Sequence, residues 1–173
     1  MLRREVNLLE FNPTIKVVEQ YSSVELAGKH RDRLKPVPVR EQVAFDILND
    51  ELHIDPAQDR PLASGPEVRG VFFRGRPPNE YSETATNIDP ARARWRAESA
   101  LRKKAREFMT IEGTTLGLPR LRPGNHVEIR GVRPPFDGFF YVSKTVHSFG
   151  ADGFRTRFTA CRPGMPLPPY GEP

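Results

Sequence analysis

The residues that most often bind metals or act as nucleophiles are few in this chain and widely separated. The histidines His30, His53, His126 and His147 show neither H-x-x-x-H nor H-x-H spacing, and Cys161 has no second cysteine with which to bind zinc. A lone thiol at the end of a strand is typical of a small core residue. The sequence therefore predicts no metal, no cofactor and no catalytic residue, and we expect a protein that is not an enzyme.

A short glycine segment, Gly113-Thr-Thr-Leu-Gly117, is superficially similar to a phosphate-binding loop. It lacks the Gly-Lys-Ser/Thr that places a lysine and a metal ligand at the start of a helix. The two glycines instead indicate bulges, or a bend that lets a strand wrap round a barrel.

Charge is distributed unevenly along the chain. Residues 41–59 contain six acids and no Lys or Arg, whereas residues 89–108 contain seven bases and three acids, within a formal net charge of +5. The basic stretch is the one feature that suggests a specific function. Its bases are Arg92, Arg94, Arg96, Arg102, Lys103, Lys104 and Arg106.

Two interpretations of the basic stretch remain open. It could hold phosphates in a nucleic-acid-binding β-barrel module that uses the basic helix 89–108 and stacks bases on aromatic strands at 139–141 and 154–158. Alternatively, it is a solvated face or pairs with acids of a neighbour. Because phenylalanines alternate with arginines over 154–158, a core role for those rings is favoured, and with it the second interpretation. An enzyme that uses two carboxylates brought together by the fold is the third hypothesis.

Composition favours many short elements joined by turns. The chain has 18 Pro and 13 Gly in 173 residues, about 18% against roughly 12% in an average globular protein. Its apolar runs are far shorter than the about 20 residues of a membrane span, and no apolar segment follows the basic residues at positions 3 and 4. We therefore expect neither a membrane helix nor a signal peptide, and the single cysteine indicates a reducing compartment.

One helix is predicted clearly, beginning at Asp89-Pro90 and running to Phe108. Asp at the N-cap accepts backbone N–H groups, and Pro costs nothing at the first helical position. Its narrow apolar stripe consists of Ala97, Leu101, Ala105 and Phe108. Trp95 lies to one side of this stripe, so the helix is expected to contact a sheet below and something else beside it.

Alternation of apolar and polar residues predicts strands at 109–118, 126–130, 139–149 and 154–161. Short loops join them, including a turn at 122–124 with Pro and Gly at its centre. The fold class is therefore mainly β with one principal helix, in which these strands form an antiparallel meander that curls into a barrel-like sheet.

The whole chain is predicted in four pieces. Residues 1–35 supply N-terminal strands that pack with this sheet, and residues 36–87 form a loop-rich insertion with an extended piece at 35–39, an ambiguous acidic piece at 43–54 and a strand at 68–73. Residues 88–163 hold the helix and the barrel-like meander. Residues 164–173 form an extended Pro-rich tail.

The second half of the chain resembles the phage late control protein D family. The resemblance rests on the run RKKAREFMTIEGTTLGLPRLRPGNHVEIRG at 102–131 and on its continuation at 136–142, 145–147 and 153–158. Upstream, residues 8–13 and 24–28 are similar to strands that precede the helix in that family. The family comprises baseplate hub proteins of contractile tails and related injection systems, similar to the hub part of type VI valine-glycine-repeat spike proteins.

The resemblance implies a non-enzymatic trimer that closes the end of a tail tube, adapts its six-fold symmetry to a three-fold spike and leaves a central channel. It covers only the C-terminal half of such hubs, so the chain is either a fragment or one half of a divided hub. The family-motif turn residues are Gly113, Gly117, Pro123, Gly124, Gly131, Asp137 and Gly138. The candidates for subunit contacts are Arg92, Arg94, Arg96, Arg102, Lys103 and Arg106.

The implied partners are the tail tube protein, the spike protein, other baseplate proteins and a separate chain that supplies the missing half of the hub. No membrane is implied, and nucleic acid enters only as cargo in the channel. The implied location is the baseplate of a virion or injection particle, assembled in the cytoplasm of the producing cell.

Overall fold

The computed structural model describes residues 1–3, 6–32, 35–44, 62–73, 79–151 and 153–166. These residues form a mainly β fold, as the sequence predicts, with a curled half-barrel sheet and two helices. Neither helix is long and apolar enough to cross a membrane. The strands are β1 (Leu2–Arg3), β2 (Leu8–Ile15), β3 (Ser23–Asp32), β4 (Lys35–Ala44), β5 (Ala63–Ser64), β6 (Glu80–Thr86), β7 (Met109–Leu116), β8 (His126–Arg130), β9 (Gly138–Gly150), β10 (Gly153–Arg162) and β11 (Gly164–Met165), and the helices are α1 (Gly65–Phe72) and α2 (Pro90–Arg106).

The half-barrel is a six-stranded sheet in the order β1-β8-β9-β10-β7-β2. Strands β8, β9 and β10 form the predicted antiparallel meander, but β7 pairs with β10 rather than with β8. The short β1 pairs with β8 in parallel, and β2 extends the sheet beyond β7. Alternate residues of these strands fill one core, which includes Ile111, Ile129, Phe140 and Phe158.

A second, smaller core lies between α2 and a three-stranded sheet. Its strands are ordered β4-β3-β6, with β3 antiparallel to β4 and parallel to β6. Ala93, Ala97, Leu101 and Ala105 of α2 are buried against this sheet. Three of these four are alanines, which allow the helix backbone to approach the strands closely.

Helix α2 begins as the sequence predicts. The Asp89 side chain accepts a hydrogen bond from the Arg92 backbone N–H at 3.0 Å, and Pro90 is the first helical residue. Phe108 follows the helix and is fully buried, but it belongs to the core of the half-barrel. The predicted apolar stripe therefore joins the two cores.

The prediction of a loop-rich insertion at 36–87 is wrong for its described residues, which form β4, β5, α1 and β6. The extended piece at 35–39 lies in β4, whereas the predicted strand at 68–73 is helix α1. A capping box starts this helix: Ser64 accepts from the Glu67 N–H at 3.3 Å, and Glu67 accepts from the Ser64 N–H at 2.7 Å.

Two further parts of the predicted organisation differ. Strand β2 joins the half-barrel, but β3 lies in the separate small sheet because it pairs with β4 and β6. The start of the predicted tail pairs with β5 through β11. The acidic piece at 45–54 and the end of the tail at 167–173 lie outside the described residues.

The glycines of the family motif fall into two groups. Gly113 does not lie at a bulge in the pairing of β7 with β10, which is unbroken from Met109 to Leu116. Gly117 follows this strand, and its N–H donates to the Phe154 carbonyl at 2.8 Å. A Cβ on Gly113 would lie 2.7 Å from the ring of Phe158, and one on Gly117 would lie 1.9 Å from that of Phe154. These two glycines leave room for aromatic rings, and Gly113 lies within β7 rather than in a turn.

The other motif residues do form turns. Pro123 and Gly124 are the central residues of a turn closed by a bond from Asn125 N–H to the Arg122 carbonyl at 3.2 Å. Positive φ angles at Gly124 (92°), Gly131 (74°) and Gly138 (121°) suit glycine. Asp137 closes the loop before β9, where its carboxylate accepts from the Val132 N–H at 3.1 Å.

Arg162, at the end of β10, is only 3% exposed. Its guanidinium donates to the carbonyls of Pro135 at 2.7 Å and Asp137 at 3.1 Å, and its Nε donates to Gly164 at 2.9 Å. The same group lies 4.5 Å from the centre of the Phe140 ring. This arginine therefore joins the 133–138 loop and β11 to the half-barrel.

Candidate interaction surface on helix α2

The seven bases of the basic helix are divided among three environments. Three arginines in its first half form ion pairs within the chain, on side chains that are 53–80% exposed. Exposed pairs of this kind contribute about 0–1 kcal/mol each. The pairs are Arg92–Asp89 (3.3 Å), Arg94–Glu98 (3.1 Å) and Arg96–Glu83, the last of which joins α2 to β6.

Lys104 points toward the small sheet. Its ammonium lies 5.8 Å from the ring centre of Tyr21 and 5.5 Å from that of Tyr81, and the two rings meet edge to face at 5.5 Å. This lysine was not among the predicted contact residues, and its aromatic contacts give it a role in packing.

The remaining three bases line a groove of about 700 Å³ between α2 and the half-barrel. Trp95, Ser99, Arg102 and Arg106 follow one another at i, i+4, i+7 and i+11, so they share a face of the helix. Lys103 and the carboxylates Glu98 and Glu107 complete the helical wall, and the opposite wall consists of Thr110 from β7, Tyr141 and Ser143 from β9, and Cys161 from β10.

Aromatic and cationic groups meet in this groove, which we call the Trp95 groove. The guanidinium of Arg106 lies 4.7 Å from the centre of the Tyr141 ring, within cation–π distance. Trp95 is 75% exposed, although tryptophan is among the residues that gain most from burial. The groove therefore presents a large apolar side chain to solvent beside fixed positive charge.

The structure brings together three of the six predicted contact residues, Arg102, Lys103 and Arg106. It places the other three, Arg92, Arg94 and Arg96, in ion pairs with acids of the same chain. The sequence did not place Tyr141, Ser143 or Cys161 beside the helix, because they come from distant strands. It suggested Tyr141 only as part of a stacking strand and Cys161 only as a core residue. The lateral position of Trp95 was the one local signal for a second contact surface.

The residues considered for chemistry do not assemble into a site in the part of the chain that the structure describes. No three His, Cys, Asp or Glu side chains are grouped there in a way that could hold a metal. Cys161 is 6% exposed, and Phe158 and Phe140 are core residues rather than stacking platforms. His147 shares a hydrogen bond of 2.9 Å with the Thr156 hydroxyl, and His53 lies outside the described residues.

Comparison with known proteins gives a shared fold. No family model matches the sequence, and no curated protein matches it significantly. The structure is similar to the 43 kDa tail protein of prophage MuSo2 from Shewanella oneidensis, with a TM-score of 0.59 and 13% identity over 95% of this chain and 44% of that one. It is also similar to the tail protein from Neisseria meningitidis MC58, with a TM-score of 0.56 and 12% identity over 93% of this chain and 43% of that one. The chain thus spans less than half the length of either neighbour and shares its fold with part of both tail proteins.

Proposed function

We propose that this chain is a structural component of the baseplate hub of a contractile phage tail or phage-tail-like injection particle, where it joins the tail tube to the central spike. The observation that carries the proposal is the fold that it shares, over 95% of its length, with a prophage tail protein. The resemblance of residues 102–131 to the late control protein D family supports the hub in particular. In this role the chain has no catalytic step and needs no cofactor.

Exposed apolar side chains on two parts of the molecule support assembly with neighbours. Phe149, near the end of the β9–β10 hairpin, is 86% exposed, and Val146 on the same strand is 49% exposed. Trp95 on α2 is 75% exposed. In the proposed assembly these side chains are available for contact with neighbours.

In the proposed assembly, three copies form a ring that contacts the tail tube protein, the spike protein and other baseplate proteins. Where the hub is divided between two chains, the ring also contacts the chain that supplies the other half. Of the six predicted contact residues of α2, Arg102, Lys103 and Arg106 face such a neighbour, whereas Arg92, Arg94 and Arg96 pair with acids of the same chain. Nucleic acid passes only as cargo through the channel. The complex is part of the virion or injection particle and is assembled in the cytoplasm of the producing cell.

The proposal is tested by deleting the gene in the producing cell and restoring it from a plasmid. We expect the deletion to abolish complete tails, the plasmid to restore them, and quantitative mass spectrometry of purified tails to find this chain at half the copy number of a six-fold tube ring. Normal, infectious or lytic particles from the deletion strain, or purified tails without the chain, would contradict the proposal.

The alternative is a nucleic-acid-binding β-barrel module that uses the helix at 89–108. Binding of the full chain to a generic single-stranded oligonucleotide distinguishes the two, because phosphate contacts make affinity fall steeply with salt. Tight binding with a steep salt dependence would favour the module. We expect weak binding, since Arg92, Arg94 and Arg96 already face carboxylates.

A further inference from the structure

We propose that the Trp95 groove is the docking site for an acidic segment of another protein of the same particle, one that also carries an apolar side chain to cover Trp95. The inference rests on the proposed function in one respect, which is that the acidic segment belongs to a protein of the same particle. The site itself is defined by the groove between α2 and strands β7, β9 and β10.

The side chains of the groove are those that contribute most to protein interfaces. Trp, Tyr and Arg are enriched among the residues whose removal weakens binding most. Here Trp95, Tyr141 and Arg106 line one groove, with Arg106 held 4.7 Å from the centre of the Tyr141 ring. The stacked guanidinium keeps its orientation before a partner arrives, so less side-chain entropy is lost on binding.

The charge of the groove selects an acidic occupant. Its walls carry three cations, Arg102, Lys103 and Arg106, against two carboxylates, Glu98 and Glu107. Glu98 already accepts from Arg94 at 3.1 Å. The described lining thus has a net charge of +1, which favours carboxylates of a partner over a basic segment.

The same walls favour a protein segment over nucleic acid. Proteins that bind nucleic acid through its backbone neutralise about 6–10 phosphates, whereas this groove offers three cations. The groove instead has the composition of a protein interface, because an exposed tryptophan lies among charged residues of both signs, like an aromatic centre with a polar rim.

The test uses the full chain in its native particle, with the photo-crosslinking residue p-benzoylphenylalanine at position 95. A matched variant carries the same residue at position 92, where the Arg92 side chain is 80% exposed on the same helix but does not line the groove. Tails are purified, illuminated and digested, and the crosslinked peptides are identified by mass spectrometry. We expect Trp95→p-benzoylphenylalanine to crosslink to one segment of net negative charge in another tail protein, at a yield at least tenfold above that of the position 92 variant.

Charge reversal adds a second readout. We expect Arg102→Glu to lower the crosslinking yield at position 95 about tenfold, while Arg92→Glu leaves it within about twofold. Circular dichroism of both variants confirms that each is folded. If Arg102→Glu does not fold, Lys103→Glu takes its place with the same expectation.

Each other outcome overturns the inference. These outcomes are no crosslink from position 95 in assembled tails, equal yields from positions 92 and 95, a crosslink to nucleic acid, a basic segment or a second copy of this chain, or an Arg92→Glu effect as large as that of Arg102→Glu. Failure of the proposed function is a separate result. A chain absent from tails that still crosslinks through position 95 to an acidic protein segment elsewhere would refute the hub role but retain the docking site.

Discussion

Arginine occupies two contrasting regions of this molecule. In the half-barrel, Arg162 is 3% exposed and donates to three backbone carbonyls of the 133–138 loop and β11. On the outer face of α2, Arg92 and Arg94 are 80% and 64% exposed and pair with carboxylates on their own helix or at its cap. The same residue type therefore stabilises the fold in one region and leaves it nearly unaffected in the other.

This difference in burial explains why arginine contributes more to stability in the half-barrel than on the outer face of α2. Buried hydrogen bonds to a charged group contribute about 1.5–3 kcal/mol each, whereas exposed ion pairs contribute about 0–1 kcal/mol. The exposed ion pairs on the outer face of α2 therefore contribute little to the free energy of unfolding. The aromatic and cationic side chains of the Trp95 groove are then explained better by a partner than by stability.

The largest expected effect comes from Arg162→Met, which preserves bulk but leaves the carbonyls of Pro135 and Asp137 without their donor. We expect a loss of about 3 kcal/mol or more in the free energy of unfolding, measured by urea denaturation. The matched control is Arg157→Met, at an exposed position of the same strand, with an expected change within about 0.5 kcal/mol. Equal losses of unfolding free energy in both variants would contradict the difference between buried and exposed arginines.

A smaller effect is expected from adding one methyl group to the half-barrel. In Gly117→Ala the new Cβ would lie 1.9 Å from Cδ1 and 2.3 Å from Cγ of Phe154, so the ring must move, at a cost of about 1–3 kcal/mol. Gly70→Ala is the control, because its Cβ would have no atom within 4 Å and α1 would gain helix propensity. We expect Gly70→Ala to raise the thermal midpoint slightly and Gly117→Ala to lower it by several degrees.

The smallest effects on stability are expected on the outer face of α2. Trp95→Ala removes a side chain that is 75% exposed, and Arg94→Ala breaks one exposed ion pair. Each should change the free energy of unfolding by less than about 0.5 kcal/mol. We expect Trp95→Ala nonetheless to reduce incorporation of the chain into tails, while Arg94→Ala does not. A Trp95→Ala variant as unstable as Arg162→Met would show that the groove is part of the core.

Local signals in the sequence predicted the elements that depend on neighbouring residues. Asp89 and Pro90 determine where α2 begins, and the alternation of Thr156, Phe158 and Ala160 predicts the buried face of β10. The capping box of Ser64 and Glu67 is a local signal for α1, although the apolar residues at 68–73 predict a strand. For each of these elements, the residues that determine its start or its buried face lie within a few positions of one another in the sequence.

Long-range pairing was not predictable in the same way. Strand β6 has the polar sequence EYSETAT, which lacks the apolar alternation of a strand, and it forms by pairing in parallel with β3, more than 50 residues earlier. The Trp95 groove likewise joins α2 to Tyr141 and Cys161 through the packing of two sheets. Its cations were predicted from the sequence, but its aromatic wall required the fold.

Cryo-electron microscopy of the native particle tests most directly the proposal that this chain forms part of a tail hub and docks a neighbour through α2. We expect a trimeric ring of this fold between the tail tube and the spike, with the Trp95 groove covered by an acidic segment of another protein. A particle that lacks this fold at the junction, or a ring in which Trp95 and Arg102 face bulk solvent, would contradict the claim.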